Sequence, residues 1–383
     1  MEQQTSSSQI TVFQDHIRDL KSTDISTVNF QDQNPGTSGL RKKVKHFMQK
    51  HYLENFTQSI FLAHSESDYK GKTLVVGGDG RFYNNIAINI IIKMAAANGV
   101  HRILIAENGN MSTPCVSLVV RNTTNCFGAV ILSASHNPGG EDEDFGIKFN
   151  NASGAPAPEN ITGKIFASTK ELKSYKTLIY NKDFSLKTNT LVEFVDESGN
   201  ACKAEIVIES TTKLYVETMQ KIFDFEKLRE LFARKDFKFC IDAMHGAAGP
   251  YAYIIFNKVL GVSEEHLFNC NILPDFGGLH PDPNLVHAKK IVGLLDIDKK
   301  KKAEELGSLY DFGAACDGDA DRNMILGKQF FVSPSDSIAI ITANAHLIPS
   351  LSLNDGLIGC ARSMPTSGAL DRVAKKLGIR VIK

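Results

Sequence analysis

Phe127-Gly128-Ala129-Val130-Ile131-Leu132-Ser133-Ala134-Ser135-His136-Asn137-Pro138-Gly139-Gly140 runs an apolar segment straight into a turn bounded by Gly and Pro. The run Phe127 to Leu132 reads as a buried strand and the Asn-Pro-Gly-Gly cluster as its exit. Ser135 is therefore expected on a turn directly after a strand, with its hydroxyl displayed and not buried.

Upstream of that strand, apolar and amphipathic runs alternate. An apolar run at 73–76 meets a Gly-rich turn, an amphipathic run at 84–98 closes at Gly99, a second apolar run covers 102–106, and Ser112-Thr113-Pro114 opens another helix. Strand, helix, strand, helix predicts a parallel α/β sheet. Residues 170–208 break the rhythm with β-branched stretches, Thr190 to Val195 and Ala204 to Ile208, which read as a short antiparallel piece closing a first domain near 208. A second alternation follows: helix 212–233, strand 237–242, the turn His245 to Pro250, helix 250–260, and strand 312–316. A third begins with strand 356–360 and a helix opened by Pro365 and closed at Gly378. The expected architecture is α/β throughout. It comprises a flexible polar segment over 1–25, a first domain over 26–208, a second over 209–345, and the start of a third over 346–383.

Composition narrows the function. At 383 residues the chain is long enough for two or three domains with cores of their own. Forty-three Lys plus Arg balance forty-three Asp plus Glu, so no overall field favours nucleic acid or anionic lipid, and any electropositive pocket has to be local. The runs Asp298 to Lys302 and Glu141 to Asp144 read as solvated faces. Seven cysteines without a C-x-x-C pattern, mostly in apolar stretches, read as reduced residues of a cytoplasmic protein. No signal peptide or membrane-length apolar run is present, and no membrane insertion is expected.

The acidic run Cys316-Asp317-Gly318-Asp319-Ala320-Asp321-Arg322-Asn323 also follows an apolar strand. Alternate residues of an extended or tightly turned segment share a side, so three carboxylates can meet on one ion. Hard oxygen donors favour Mg²⁺, Mn²⁺ or Ca²⁺ over zinc. An EF-hand loop would need Gly where Arg322 stands and Glu where Lys328 stands, so Mg²⁺ completed by a phosphate oxygen is the better match. A solvated acidic turn is the competing reading, weighed down by the position at a strand's carboxyl end, where open α/β sheets bind ligands.

Ser135 has three readings: a turn or cap residue, a hydrolase nucleophile, or a phosphate carrier. The hydrolase elbow G-x-S-x-G fails at Ser133 and Asn137, and His136, adjacent in sequence, is poorly placed as its base. A phosphate carrier needs a displayed hydroxyl, a cation and proton carriers, which Ser135, the Asp triad, His136 and Lys148 together supply. Two further loops, Asn34 to Arg41 and Gly77-Gly78-Asp79-Gly80-Arg81, look directed at anions, although either also reads as a simple turn. The second is no dinucleotide fingerprint, because Tyr83 stands where a third Gly is needed.

In order along the chain stand PGTSGLRKKV (35–44), VVGGDGRFYN (75–84), SASHNPGG (133–140), DFGIKFN (144–150), IDAMHGAAGPY (241–251), DFGGLHPDPN (275–284), DGDADRNMILG (317–327), PSDSIA (334–339) and ARSMPTSGALDRVA (361–374). Together they resemble the α-D-phosphohexomutase superfamily, within it the eukaryotic phosphoglucomutase group that includes parafusin. The resemblance implies consecutive mixed α/β domains, two complete and a third cut short. It implies that Ser135 carries a phosphoryl group and that one Mg²⁺ is held by Asp317, Asp319, Asp321 and an oxygen of phosphorylated Ser135. Arg41, Arg322, His136 and Lys148 would surround the transfer centre, Lys148 as general base and acid with His136 assisting. Thr37, Ser38, Arg41 and Arg322 would contact a hexose phosphate substrate. The implied reaction interconverts glucose 1-phosphate and glucose 6-phosphate through glucose 1,6-bisphosphate.

Two family loops, GEESFG in the third domain and the phosphate-gripping loop of a fourth, occur nowhere in residues 1–383. That leaves an alternative of another class: a non-catalytic, parafusin-like phosphoprotein or a fragment lacking the sugar and distal-phosphate clamp, its shortened third domain offering a face to a protein partner. Ser133, where relatives often have Thr, and Ala320, where many have Gly, are mild departures that leave the oxygen donors intact.

Overall fold

The computed structural model describes residues 11–36, 38–352 and 356–383. The described chain divides into two units, one of residues up to 134 with 140–211, the other of residues 135–139 with 212–383.

The first unit is built on a nine-stranded mixed sheet, β1 (Asp15–Ser26), β2 (Leu40–Lys43), β3 (Thr73–Gly78), β4 (Arg102–Asn110), β5 (Cys126–Leu132), β6 (Asp144–Asn151), β7 (Ser174–Leu178), β8 (Thr190–Val195) and β9 (Ala201–Glu209), in the order β2-β6-β5-β3-β4-β9-β8-β1-β7. Its centre, β5-β3-β4-β9, is parallel, and antiparallel strands flank it on both sides. Parallel strands carry helices on their faces and therefore read as continuous apolar runs. Accordingly all six positions of β3, Thr-Leu-Val-Val-Gly-Gly, are buried. The helices Asn84–Ala97 and Thr113–Asn122 pack onto β3. Ile88, Ile91 and Ile92 of the first of these join Leu74, Val76, Ile103 and Ile105 in one core, each fully buried side chain contributing about 1.5–3 kcal/mol.

The expectation of a flexible segment over 1–25 is corrected here. Residues 1–10 lie outside the described residues, but Asp15–Ser26 is a twelve-residue strand, parallel to β8 and antiparallel to β7. Its residues are mostly polar and exposed, with Ile17 and Leu20 alone packing against the core, so its order comes largely from ladder hydrogen bonds to strands far along the chain.

The Gly77 to Arg81 turn is also not the anion-directed loop its sequence suggested. Arg81 is 1% exposed and Asp79 fully buried. The guanidinium Nε donates to both Asp79 oxygens at 3.0 and 2.9 Å, and Nη1 donates to the Asp144 carbonyl at 2.8 Å. The arginine is spent internally, tying the β3 exit to β6. Removing one member of a buried pair strands the other charge. Arg81→Met is therefore expected to lower unfolding free energy in urea by about 3–5 kcal/mol, and an unchanged denaturation midpoint would contradict this role.

The second unit carries a five-stranded sheet, β10 (Phe239–Asp242), β11 (Leu267–Phe268), β12 (Phe312–Cys316), β13 (Asn323–Gly327) and β14 (Phe330–Val332), ordered β11-β10-β12-β13-β14. Strand alternation sorts its core: Cys240, Ala315, Met324 and Leu326 enter one cluster, Phe239, Ile241, Phe312 and Ala314 the other. The helix expected over 212–233 is two, Thr211–Ile222 and Phe225–Phe232. Asp224 starts the second by accepting from Lys227 N at 3.1 Å. A separate two-stranded sheet, β15 (Gly359–Ala361) with β16 (Arg380–Ile382), is spanned by the helix Ala369–Leu377, whose end Gly378 caps at φ 71°. That helix starts four residues after Pro365 and packs against Ser337–Ala343.

All seven cysteines are free, and burial pushes the Cys240 and Cys270 thiols up to about 12 and about 11. They stay protonated at neutral pH and serve as packing. Among the described residues no helix is long and apolar enough to cross a membrane.

Candidate active site

β12 and β13 form a hairpin closed by the Cys316–Asn323 pair, so Asp317 to Arg322 are its connecting loop. Backbone bonds tighten that loop: Asp317 N donates to Arg322 O at 3.2 Å and Ala320 N to Asp317 O at 3.1 Å, with Ala320 at φ 60°. Arg322 N donates to Asp317 Oδ1 at 3.0 Å. The turn brings one carboxylate oxygen each of Asp317, Asp319 and Asp321 within 4.8 Å of one another. Asp317 and Asp319 are fully buried and Asp321 is exposed, so the triad sits at an opening.

Burial, then the neighbouring charges of Asp319 and Asp321, hold the Asp317 carboxyl well above the ordinary carboxylate range. Like charges gathered in a low-dielectric site repel strongly. A hard divalent cation relieves that repulsion, and an all-oxygen donor set is what Mg²⁺ takes. The residues fit the ion.

Ser135 to Gly139 belong with this unit although their chain neighbours belong with the first. Ser135 Oγ donates to Asp317 Oδ2 at 2.8 Å. The expected displayed hydroxyl is thus corrected: Ser135 is 1% exposed, because its hydroxyl is turned onto the acidic loop. Its φ of 54° lies in the left-handed region, which costs an L-residue roughly 1–2 kcal/mol and is sustained by these contacts. Gly318 makes the approach feasible, since a Cβ there would lie 2.7 Å from Ser135 O and 3.1 Å from the Phe276 ring. His136 Nδ1 is hydrogen-bonded to the Arg322 guanidinium, and Arg322 Nε lies 3.9 Å from Asp321 Oδ1. Six of the expected residues, Ser135, His136, Asp317, Asp319, Asp321 and Arg322, therefore meet within one unit.

The first unit holds the others. Arg41 on β2 lies opposite Gly146 on β6; Lys148, two residues on, shares that face. Lys148 is 8% exposed, and Nζ donates to Thr113 Oγ1 at 3.1 Å. Ser38 is an exposed turn residue in a loop closed by Gly36 N to Gly39 O at 3.0 Å and Gly39 N to Gly36 O at 3.2 Å. Gly39 takes φ 88°, and a Cβ there would meet Ile147 O at 2.4 Å. Thr37 lies outside the described residues. The sequence marks Thr113 only as part of a helix start; its hydroxyl is the acceptor that holds Lys148, a role signalled by nothing in its sequence neighbourhood.

With this geometry in hand, the chain matches two family descriptions: phosphoglucomutase/phosphomannomutase α/β/α domain I over residues 32–176, and domain II over residues 213–329. It is 51% identical over 365 residues to phosphoglucomutase-2 of Paramecium tetraurelia, covering 93% of this chain and 63% of that protein. It is 51% identical over 362 residues to the cytoplasmic phosphoglucomutase of Pisum sativum, covering 93% and 61%. The open-form crystal structure of the Paramecium exocytosis-sensitive phosphoprotein pp63/parafusin, a phosphoglucomutase, superposes with a TM-score of 0.89 at 49% identity over 95% of this chain and 64% of that one. A putative phosphomannomutase from Thermus thermophilus shares the fold, with a TM-score of 0.64 at 21% identity. The chain spans just over three fifths of the length of these curated relatives, 63% and 61%.

Proposed function

Since this chain belongs to the phosphoglucomutase/phosphomannomutase family, we propose that it interconverts glucose 1-phosphate and glucose 6-phosphate through a phosphoserine at Ser135. The observation that carries the reading is the 2.8 Å hydrogen bond from Ser135 Oγ to Asp317, a member of the triad able to hold a metal ion. A hydroxyl so placed receives its phosphoryl group beside a cation site.

In the proposed cycle the Oγ–P bond of phosphorylated Ser135 breaks as a free sugar hydroxyl attacks phosphorus. The hydroxyl proton passes to Lys148, which acts as base and then as acid to the released Ser135 oxygen, and glucose 1,6-bisphosphate results. After the bisphosphate reorients, the Ser135 oxygen attacks its other phosphoryl group, the proton returns to the departing sugar oxygen, and the enzyme is rephosphorylated. Asp317, Asp319, Asp321 and a phosphoryl oxygen on Ser135 would hold Mg²⁺, which supplies charge neutralisation when bound. Arg322 anchors His136 beside the serine, and Arg41, Ser38 and Thr37 are proposed to contact the substrate phosphate. Side chains here position and neutralise more than they make bonds.

The printed names of the plant relatives support a cytoplasmic setting. The intact serine and acidic loops weigh against the non-catalytic alternative. The test is conversion of glucose 1-phosphate to glucose 6-phosphate by the purified chain with Mg²⁺ and a trace of glucose 1,6-bisphosphate, scored together with radiolabel transfer from the bisphosphate to protein. Mg²⁺-dependent labelling and conversion are expected; absence of both would sink the proposal.

A further inference from the structure

A second group of metal-binding side chains lies in the same unit, outside the acidic loop. His280, Asp282 and His287 each offer one donor atom, all within 4.8 Å of one another, and all three residues are half-buried. The segment that carries them, His280-Pro281-Asp282-Pro283-Asn284-Leu285-Val286-His287, is stiffened by two buried prolines. Asn284 ties the donors together. Its Nδ2 donates to Asp282 Oδ2 at 2.7 Å, and its Oδ1 accepts from His287 N at 3.0 Å and Val286 N at 2.8 Å. The His280 and His287 rings lie with centroids 4.1 Å apart at 48°.

We propose that His280, Asp282 and His287 form a binding site for a borderline transition-metal ion, Zn²⁺ being the best match, chemically separate from the hard-ion triad. Two imidazoles and one carboxylate, completed by water as fourth ligand, are a donor set zinc favours and magnesium does not. Tetrahedral zinc with bonds of about 2.1 Å sets its ligands roughly 3.4 Å apart. The side chains therefore close by roughly 1.5 Å at most, a rotamer adjustment. The Asp282–Asn284 hydrogen bond is the kind of outer support that orients a metal-binding carboxylate. Occupancy would also fix the His280 ring, which stacks on His136 at 6.4 Å and 10°, coupling the site to the loop that carries Ser135.

The test is calorimetric titration of the chelator-stripped chain with Zn²⁺ in excess Mg²⁺, alongside Co²⁺ titration followed by visible absorption. The Asp319→Asn variant is expected to retain one equivalent of Zn²⁺ at nearly wild-type affinity. His287→Ala and Asp282→Asn are each expected to weaken that binding by about tenfold or more and to remove the intense absorption of imidazole-bound cobalt. Circular dichroism checks each fold, and the near-isosteric Asp282→Asn decides should His287→Ala unfold. Zn²⁺ uptake that survives Asp282→Asn and His287→Ala unchanged, or that disappears in Asp319→Asn alone, overturns the site.

Discussion

Ser135→Ala is expected to reduce phosphoryl labelling from glucose 1,6-bisphosphate, and hexose phosphate conversion with it, by on the order of 10⁴-fold or more. The group proposed to accept and return the phosphoryl is removed outright, and with it the hydroxyl that donates to Asp317. The fold should survive. Alanine forfeits the hydrogen bond to Asp317, about 1 kcal/mol, while Asp317 Oδ1 keeps the Arg322 amide at 3.0 Å. Urea denaturation should therefore shift by less than about 2 kcal/mol. Label retained on the alanine variant would place the phosphoryl group elsewhere and remove the ground for the proposed cycle.

Asp319→Asn is expected to have opposite effects on activity and metal-free stability. Losing one charged oxygen from the triad should cut Mg²⁺-dependent phosphoryl transfer by on the order of 10³-fold, measured as labelling rate against Mg²⁺ concentration. Without divalent ions the same change relieves repulsion among carboxylates gathered within 4.8 Å. It should then raise stability by about 1 kcal/mol, roughly 2–4 °C in Tm. Wild type, in turn, should gain more from added Mg²⁺ than the variant, because only the intact triad is expected to bind it tightly. A variant that loses stability without metal and keeps its Mg²⁺ response would show the triad to be an ordinary structural turn. Function here is expected to work against stability, as it does where charges are assembled for a ligand.

Short-range pattern made much of the fold legible. The buried β3 and β5 announce themselves as apolar runs, the helix Asn84–Ala97 by its periodicity and the Gly99 stop. The break at Asp224 is equally local, an N-cap signal masked by the longer amphipathic run around it. β1 was not legible, since Asp15–Ser26 puts only Ile17 and Leu20 onto the core, out of strict alternation across a register irregularity, and is ordered by partners in β7 and β8 more than a hundred residues away.

What the sequence by itself determined is the chemistry on offer: a serine at a strand exit, three carboxylates at alternate positions, and basic residues to accompany them. These follow from residue type and spacing, which backbone geometry converts directly into side-chain direction. Only tertiary structure decided how those groups are used. It buried Ser135 against Asp317, 182 residues away, closed Arg81 onto Asp79 instead of an anion, and folded His287 back onto His280. The physical reason is the same in each case. A polar side chain removed from water must find a partner, and which partner it finds depends on distant segments that the fold, not the local spacing, brings alongside.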